Sequence, residues 1–400
     1  MTFINADTRA ASSAGGESTK MSMAPSAFET GVRMPGTVAV FRIGQLGDTL
    51  AALPAISAIR EGYPDSRMVL ITHEPGSQGS VSSWDVLEAT GFFSQVLFYG
   101  SSPVSLKNLS GYLKVAMRIR RLKADILFYL APSPRFPGQV GRDRFFFQTV
   151  CGMKQCYGME STEQTCGLRD GEGHLAALPS EIDRLLSVVG RAGLAIPEKG
   201  KEVLRVPIGE GARANVSARW QAAKFPPECL IVGLGPGSKM PAKRWPLDRF
   251  IETVKRLSRS LSGIHFIVLG GPEDREFGVK LVAMVGPQVV NWAGSLSVLE
   301  SAEALRRCAL YLGNDTGTMH LAAAVGTRCV AIFSSRDHPG KWYPYGQGHV
   351  VIRKRVPCEG CFLTVCEEQG MACLMEISVE EVCQAVLSVL NVAPLANVIS

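Results

Sequence analysis

No stretch of this 400-residue sequence approaches the roughly eighteen uninterrupted apolar residues that a membrane-spanning helix needs. The first 35 positions hold no apolar run of signal-peptide length either, so neither a spanning helix nor a cleaved leader is expected. No two aspartates are separated by a single residue. That removes the Asp-x-Asp element through which many transferases chelate a metal at a donor diphosphate. Charge is sparse: charged residues make up 20% and the net charge is +6, which suits anionic partners such as phosphorylated substrates or an acidic membrane face, not a nucleic-acid footprint. Eleven cysteines, an odd number scattered from Cys151 to Cys383, argue against a disulfide framework and for a reducing cytoplasm.

What is present is apolar sequence in short, regularly spaced runs. The chain is 46% hydrophobic, enough for two ordinary cores. Residues 1–35 are rich in Ser, Ala, Gly and Thr and read as a disordered tail, within which Met21, Met23 and Met34 are alternative starts. Beyond it, β-branched runs alternate with helix-length segments, the pattern of parallel sheets built from βαβ units. Strands are expected at 38–43, 68–72, 96–99 and 125–130, then at 230–234, 265–269, 289–292, 310–312, 329–333 and 350–352. Helices are expected near 49–61, 109–122, 180–193, 247–260, 273–285, 297–307, 316–325 and 379–391. The fold class is therefore α/β: a first doubly wound domain over 36–195, an irregular connection over 196–227, and a second domain over 228–400. Ligands of such sheets bind beyond the carboxyl ends of strands, which directs attention to the loops there.

Two of those loops carry chemistry. In FRIGQLGDTLAALPAI, Gly44 and Gly47 bracket a tight turn and Asp48 falls at a helix start. A carboxylate there either caps the helix, accepting the N–H groups of Thr49 and Leu50, or serves as a general base at the mouth of a cleft. The turn lacks the third glycine and downstream acid of a dinucleotide fingerprint, so a nicotinamide site is not expected. In the second half, GLGPGSKMPAKRWP offers backbone N–H groups with Lys239, Lys243 and Arg244. YLGNDTGTMHLAAAVG then places Asp315, Thr316 and Gly317 at a helix start, with His320 one turn in. The unpaired N–H groups and positive dipole end of such a helix suit a diphosphate. Singly, each residue reads as a cap or a core side chain. Together they put a hydroxyl, a carboxylate, an imidazole and a lysine at neighbouring strand ends.

These segments together resemble glycosyltransferase family 9, the lipopolysaccharide heptosyltransferases, whose GT-B architecture sets two Rossmann-like lobes around a cleft. The resemblance is carried by RIGQLGDTLAALPAISAIREGYPDS, GPGSKMPAKRWP, VLGGPEDREF, NWAGSLSVLESAEAL and GNDTGTMHLAAAVG, in order across both halves; roughly 73–180 carries no match. It implies an inverting transfer of a sugar, heptose from ADP-heptose, onto a hydroxyl of a glycan or lipopolysaccharide core, without a cofactor. By position, Asp48 is similar to the family's catalytic base, Lys243 to its donor-phosphate cation and Asp315 to its sugar-binding carboxylate. Thr316, Gly317 and His320 match its diphosphate-binding helix start. Ser238 and Lys239 fall where small hydroxyl residues meet the phosphates, and Lys239 departs from that type. Glu273 or Asp274 falls where the ribose is held, and Leu296 where the base is contacted.

Other signals weigh less. Arg135, Arg142 and Arg144 follow a strand end and are expected to contact the acceptor. Arg118, Arg120, Arg121 and Lys123 read as a solvated helix face or as a contact for acceptor phosphates or anionic lipid at the inner membrane face. Cys358, Cys361, Cys366 and Cys373 begin with zinc-ligand spacing but continue irregularly, so no metal is assigned. Ser378 and Glu381 stand in capping-box register before a final helix. A non-catalytic nucleotide-sugar-binding protein and a nucleotide-sugar epimerase are the competing functions.

Overall fold

The expected alternation folds into two all-parallel sheets. The computed structural model describes residues 34–74, 81–98, 109–198 and 206–391. The expected tail over 1–33 and the end of the expected strand at Tyr99 lie outside the described residues. From Pro35 onward the chain forms one compact unit.

The first sheet runs β3 (Gln95–Phe98), β2 (Arg67–Thr72), β1 (Thr37–Phe41), β4 (Ile126–Tyr129), β5 (Gln155–Tyr157). Its helices are α1 (Leu46–Gly62), α2 (Trp84–Leu87), α3 (Leu109–Leu122), α4 (Pro137–Arg144) and α5 (Glu181–Arg191). The second runs β11 (Val350–Arg353), β10 (Cys329–Phe333), β9 (Leu310–Asn314), β6 (Leu230–Gly235), β7 (Ile264–Val268), β8 (Val289–Asn291). It is flanked by α6 (Glu210–Ala223), α7 (Leu247–Ser260), α8 (Arg275–Val285), α9 (Val298–Arg306), α10 (Gly317–Ala324), α11 (Ala372–Met375) and α12 (Val379–Leu390). Helices cover both faces of each sheet, which is why the strands read as continuous apolar runs.

Three cores result. Ala39 and Phe41 of β1 pack with Ala116 and Ile119 of α3 and Phe147 on the outer face of the first sheet. Val232 and Leu234 of β6 pack with Phe250 and Leu257 of α7 and Val386 of α12 on the outer face of the second. Between them a single cluster joins Val38 and Val40 of β1, Leu53 and Ile56 of α1, Met319 and Ala322 of α10, and Tyr311 and Ala331 of the second sheet. Burying each large side chain of α1 in this shared core contributes about 1.5–3 kcal/mol. Helix α10, GTMHLAAA, is built of small residues and lies close against α1.

The connection expected to be irregular over 196–227 contains α6, which ends at Lys224 in the left-handed conformation (φ 51°). Gly209 and Gly211 at its start hide a helix whose remainder, ARANVSARWQAA, favours one. Helix α4, the π-helical turn Phe145–Val150 that continues it, and the three-residue edge strand β5 were likewise not expected. Ser378 accepts the Glu381 N–H at 3.1 Å and starts α12 as expected. No helix among the described residues is long and apolar enough to cross a membrane.

Candidate functional site

Helix α1 starts at Leu46, so Asp48 is its third residue and not its cap. Instead of accepting from Thr49 and Leu50, its Oδ2 reaches back to the N–H of Gln45 at 2.6 Å. The reach requires the turn before it: Gly44 has φ +125°, and a Cβ there would stand 2.6 Å from Asp48 Oδ2. The other oxygen, Oδ1, lies 4.0 Å from Nη2 of Arg42. Burial pushes the Asp48 carboxyl up from its usual range, while the charge of Arg42, the Gln45 N–H and the charge of Lys243 oppose the rise.

In the second lobe the glycine-rich loop follows β6. Ser238 is buried, and its Oγ accepts the Met240 N–H at 3.2 Å. Exposed Lys239 reaches across to the first lobe and donates to Gln45 Oε1 at 2.9 Å. Lys243 pairs with Asp315 at 2.6 Å, both side chains largely shielded from solvent. Thr316 precedes α10 with extended backbone, and no side chain caps that helix, so its first N–H groups face the loop side of the sheet uncapped. His320 packs edge-on to Trp342, and burial brings its pKa down to about 4, helped by Lys243 and opposed by Asp315, so the imidazole is neutral at physiological pH.

The remaining expected donor contacts sit on the next two strand ends. Glu273 is exposed in the turn after β7, whereas Asp274 points inward, accepting the Gly271 N–H at 2.9 Å, its pKa raised to about 6 chiefly by burial. The inward carboxylate shapes the loop, because a Cβ on Gly237 or Gly270 would collide with it. Of the two, Glu273 is the one open to a ligand. Leu296 is half-buried beyond β8, and Gly294 N–H donates to Gly270 O at 3.0 Å, drawing these loops together.

The acceptor arginines are engaged locally. Arg135 and Arg142 both bind Asp143, the latter through two bonds of 2.8 and 2.7 Å, and Arg144 donates to Met159 O at 2.6 Å. These bonds hold together the segment that follows β4.

Three contributors were missed by sequence reasoning. Gln45 receives Lys239. Asn314, wholly buried, accepts the Trp245 N–H at 3.0 Å and donates to Pro236 O at 2.8 Å, tying both ends of the glycine-rich loop to β9. Arg42 backs Asp48. Asn314 and Arg42 lie inside segments already singled out, but nothing in their spacing reveals a buried polar tie. The four late cysteines line one small cavity with Ala242, and among the described residues no three His, Cys, Asp or Glu side chains form a metal-holding group. A cavity of about 820 Å3 borders Ala323, Ala324 and Val325 at the far end of α10 and is lined by none of the expected site residues.

Residues 206–372 match the family model for Glycosyltransferase family 9 (heptosyltransferase). Lipopolysaccharide heptosyltransferase 2 of Escherichia coli K12 is 26% identical over 169 residues, 39% of this chain and 47% of that protein; the Salmonella typhimurium protein of the same name is 26% identical over 134 residues, 32% and 37%. The chain thus spans less than half the length of these two relatives. Lipooligosaccharide heptosyltransferase 2 of Campylobacter jejuni is 21% identical over 353 residues, 86% of this chain and 96% of that one. Among solved structures, a glycosyl transferase family 9 protein from Veillonella parvula superposes with a TM-score of 0.68 at 20% identity, covering 89% of this chain and 97% of that one. The Escherichia coli ADP-heptose lps heptosyltransferase II superposes at 0.60 and 18%, covering 89% and 98%. These likenesses establish the GT-B fold.

Proposed function

We propose that this chain, whose residues 206–372 match the glycosyltransferase family 9 model, is a member of that family and transfers heptose from ADP-heptose to a hydroxyl of a lipopolysaccharide core or related glycan, with inversion. The first lobe, 36–195, takes the acceptor and the second, 228–400, the donor. Asp48 removes the proton of the acceptor hydroxyl; the oxygen attacks the anomeric carbon, and the bond from that carbon to the diphosphate breaks. Charge gathers on the departing ADP, so Lys243 and the uncapped start of α10 at Thr316 and Gly317 supply the main stabilisation. Asp315 orients Lys243 and meets the sugar, while neutral His320 adds no competing charge. Ser238 and Lys239 line the phosphates, Glu273 holds the ribose and Leu296 the base. Arg135, Arg142 and Arg144 border the acceptor, and the protein works at the inner face of the membrane.

One observation supports this reading: Lys243 is paired with Asp315 at 2.6 Å, and Lys239 of the same loop donates at 2.9 Å to Gln45, whose N–H is held by Asp48. On this reading a loop suited to a leaving phosphate lies beside the turn that carries a group suited to an attacking hydroxyl. A thermal-shift screen of nucleotide sugars tests the donor. At a hundred times its Kd, a ligand adds about 2.7 kcal/mol to stability. ADP-heptose is expected to shift the melting point and UDP- or GDP-sugars to leave it in place; the reverse pattern overturns the donor assignment.

A further inference from the structure

Arg42 directly follows β1, six residues before Asp48, and its side chain has no solvent exposure. A buried guanidinium is costly unless its charge and donors are met. Nη1 donates to Leu130 O, but Nε and Nη2 have no hydrogen-bond partner, and the nearer charge to Nη2 is Asp48 Oδ1 at 4.0 Å. Two more charged side chains read the same stretch of chain after β4. Arg184 donates to Ala131 O at 2.7 Å, and Glu181, 2% exposed, accepts from Ser133 N and Oγ at 3.1 and 2.8 Å while pairing with Arg184 at 2.6 Å. Both Asp48 and Glu181 act on Arg42. Sign therefore alternates through Asp48, Arg42, Glu181 and Arg184, along the segment 130–133 at the carboxyl edge of the sheet. A leucine in place of Arg42 would fill the space more cheaply; a cation is needed only if its charge is used.

We infer that Arg42 is a positioning residue that holds the charge of the Asp48 carboxylate, with Glu181 as the opposing charge; this rests on Asp48 being the base. The groups that act on Asp48 are Arg42 just after β1, Glu181 from α5, Lys243 from the loop after β6 and the Gln45 N–H, and Asp48 acts in turn on His73 just after β2. Among these, Arg42 is the strongest influence favouring the ionised carboxylate, and it stays charged itself, its pKa brought down only to about 10 by burial. Removing Arg42 therefore raises the Asp48 pKa, and removing the charge of Glu181 lowers it.

The test is the pH profile of kcat/KM, measured by ADP release from ADP-heptose with a deacylated lipopolysaccharide core, for wild type, Arg42→Lys, Arg42→Gln, Glu181→Gln and Asp48→Asn. A base must be deprotonated to act, so its pKa sets the acidic limb. Arg42→Gln is expected to move that limb up by about one pH unit, costing about tenfold below it, while Arg42→Lys restores the wild-type position. Glu181→Gln is expected to move the limb the other way, which a loss of packing would not do. The thermal shift given by ADP-heptose should be the same in all variants. An unmoved limb in Arg42→Gln, or limbs moving in one direction in both Gln variants, overturns the inference; if Arg42→Gln does not fold, an unmoved or raised limb in Glu181→Gln does so alone. Full turnover in Asp48→Asn would instead remove the base assignment itself.

Discussion

A Cβ added to Gly47 would stand 2.7 Å from Cδ2 of His320, so the first turn of α1 meets the first turn of α10 with no room for one more carbon. The relation is reciprocal: a Cβ on Gly317 would lie 2.9 Å from that of Leu46. Two helix amino ends thus approach each other across the lobes, each through a glycine.

Gly47→Ala follows from that contact. Alanine favours a helix by about 0.8–1 kcal/mol over glycine, which offsets the strain of moving the His320 ring, so the melting temperature should change little. Turnover should fall about tenfold or more, because the two helix ends can no longer approach as closely. Circular dichroism melting beside initial rates checks this, and unaltered turnover would mean that the close approach is not needed.

How far the sequence could lead is visible at this seam. The glycines, Asp48 and the GNDTGTMH run were legible because helix starts and strand ends have local signatures, and periodicity located ten of the eleven strands among the described residues. The exception, β5, has three residues on a sheet edge, too few for a pattern. The charges behind the site were not legible. Arg42 meets Leu130, and Asn314 meets Pro236, at separations of 88 and 78 residues, which no local rule connects. Nor was it legible that two of the arginines after β4, Arg135 and Arg142, share Asp143.

Lys243→Met separates binding from folding. It removes the cation meant for the donor phosphates, so the Kd for ADP should rise about tenfold or more, equivalent to about 1.4 kcal/mol. It also leaves Asp315 buried without its pair, and stability should drop by about 1–3 kcal/mol. Adding Asp315→Asn should recover part of the stability and none of the affinity. Calorimetric titration with ADP beside urea unfolding checks both; an unchanged ADP affinity removes Lys243 from the donor site.

His320 makes stability depend on pH with a definite sign. Its folded pKa, brought down to about 4, lies below the unfolded value of about 6.5, so the unfolded chain binds more protons between these limits. The contribution is fully present above about pH 6.5 and is lost as the pH falls towards 4. Wild type should lose about 1–3 kcal/mol more than His320→Gln between pH 7 and pH 4, the side chain being partly shielded. Urea unfolding of both proteins across that range measures it, and parallel curves would contradict a buried neutral imidazole.

The most direct measurement is made on Asp48→Asn, comparing turnover and ADP-heptose affinity in the same preparation. The amide oxygen can still accept the Gln45 N–H, so the helix start is preserved while the base is lost. The account predicts a kcat lower by roughly a hundredfold or more, with a donor Kd within about twofold of wild type. Turnover at the wild-type rate would contradict it.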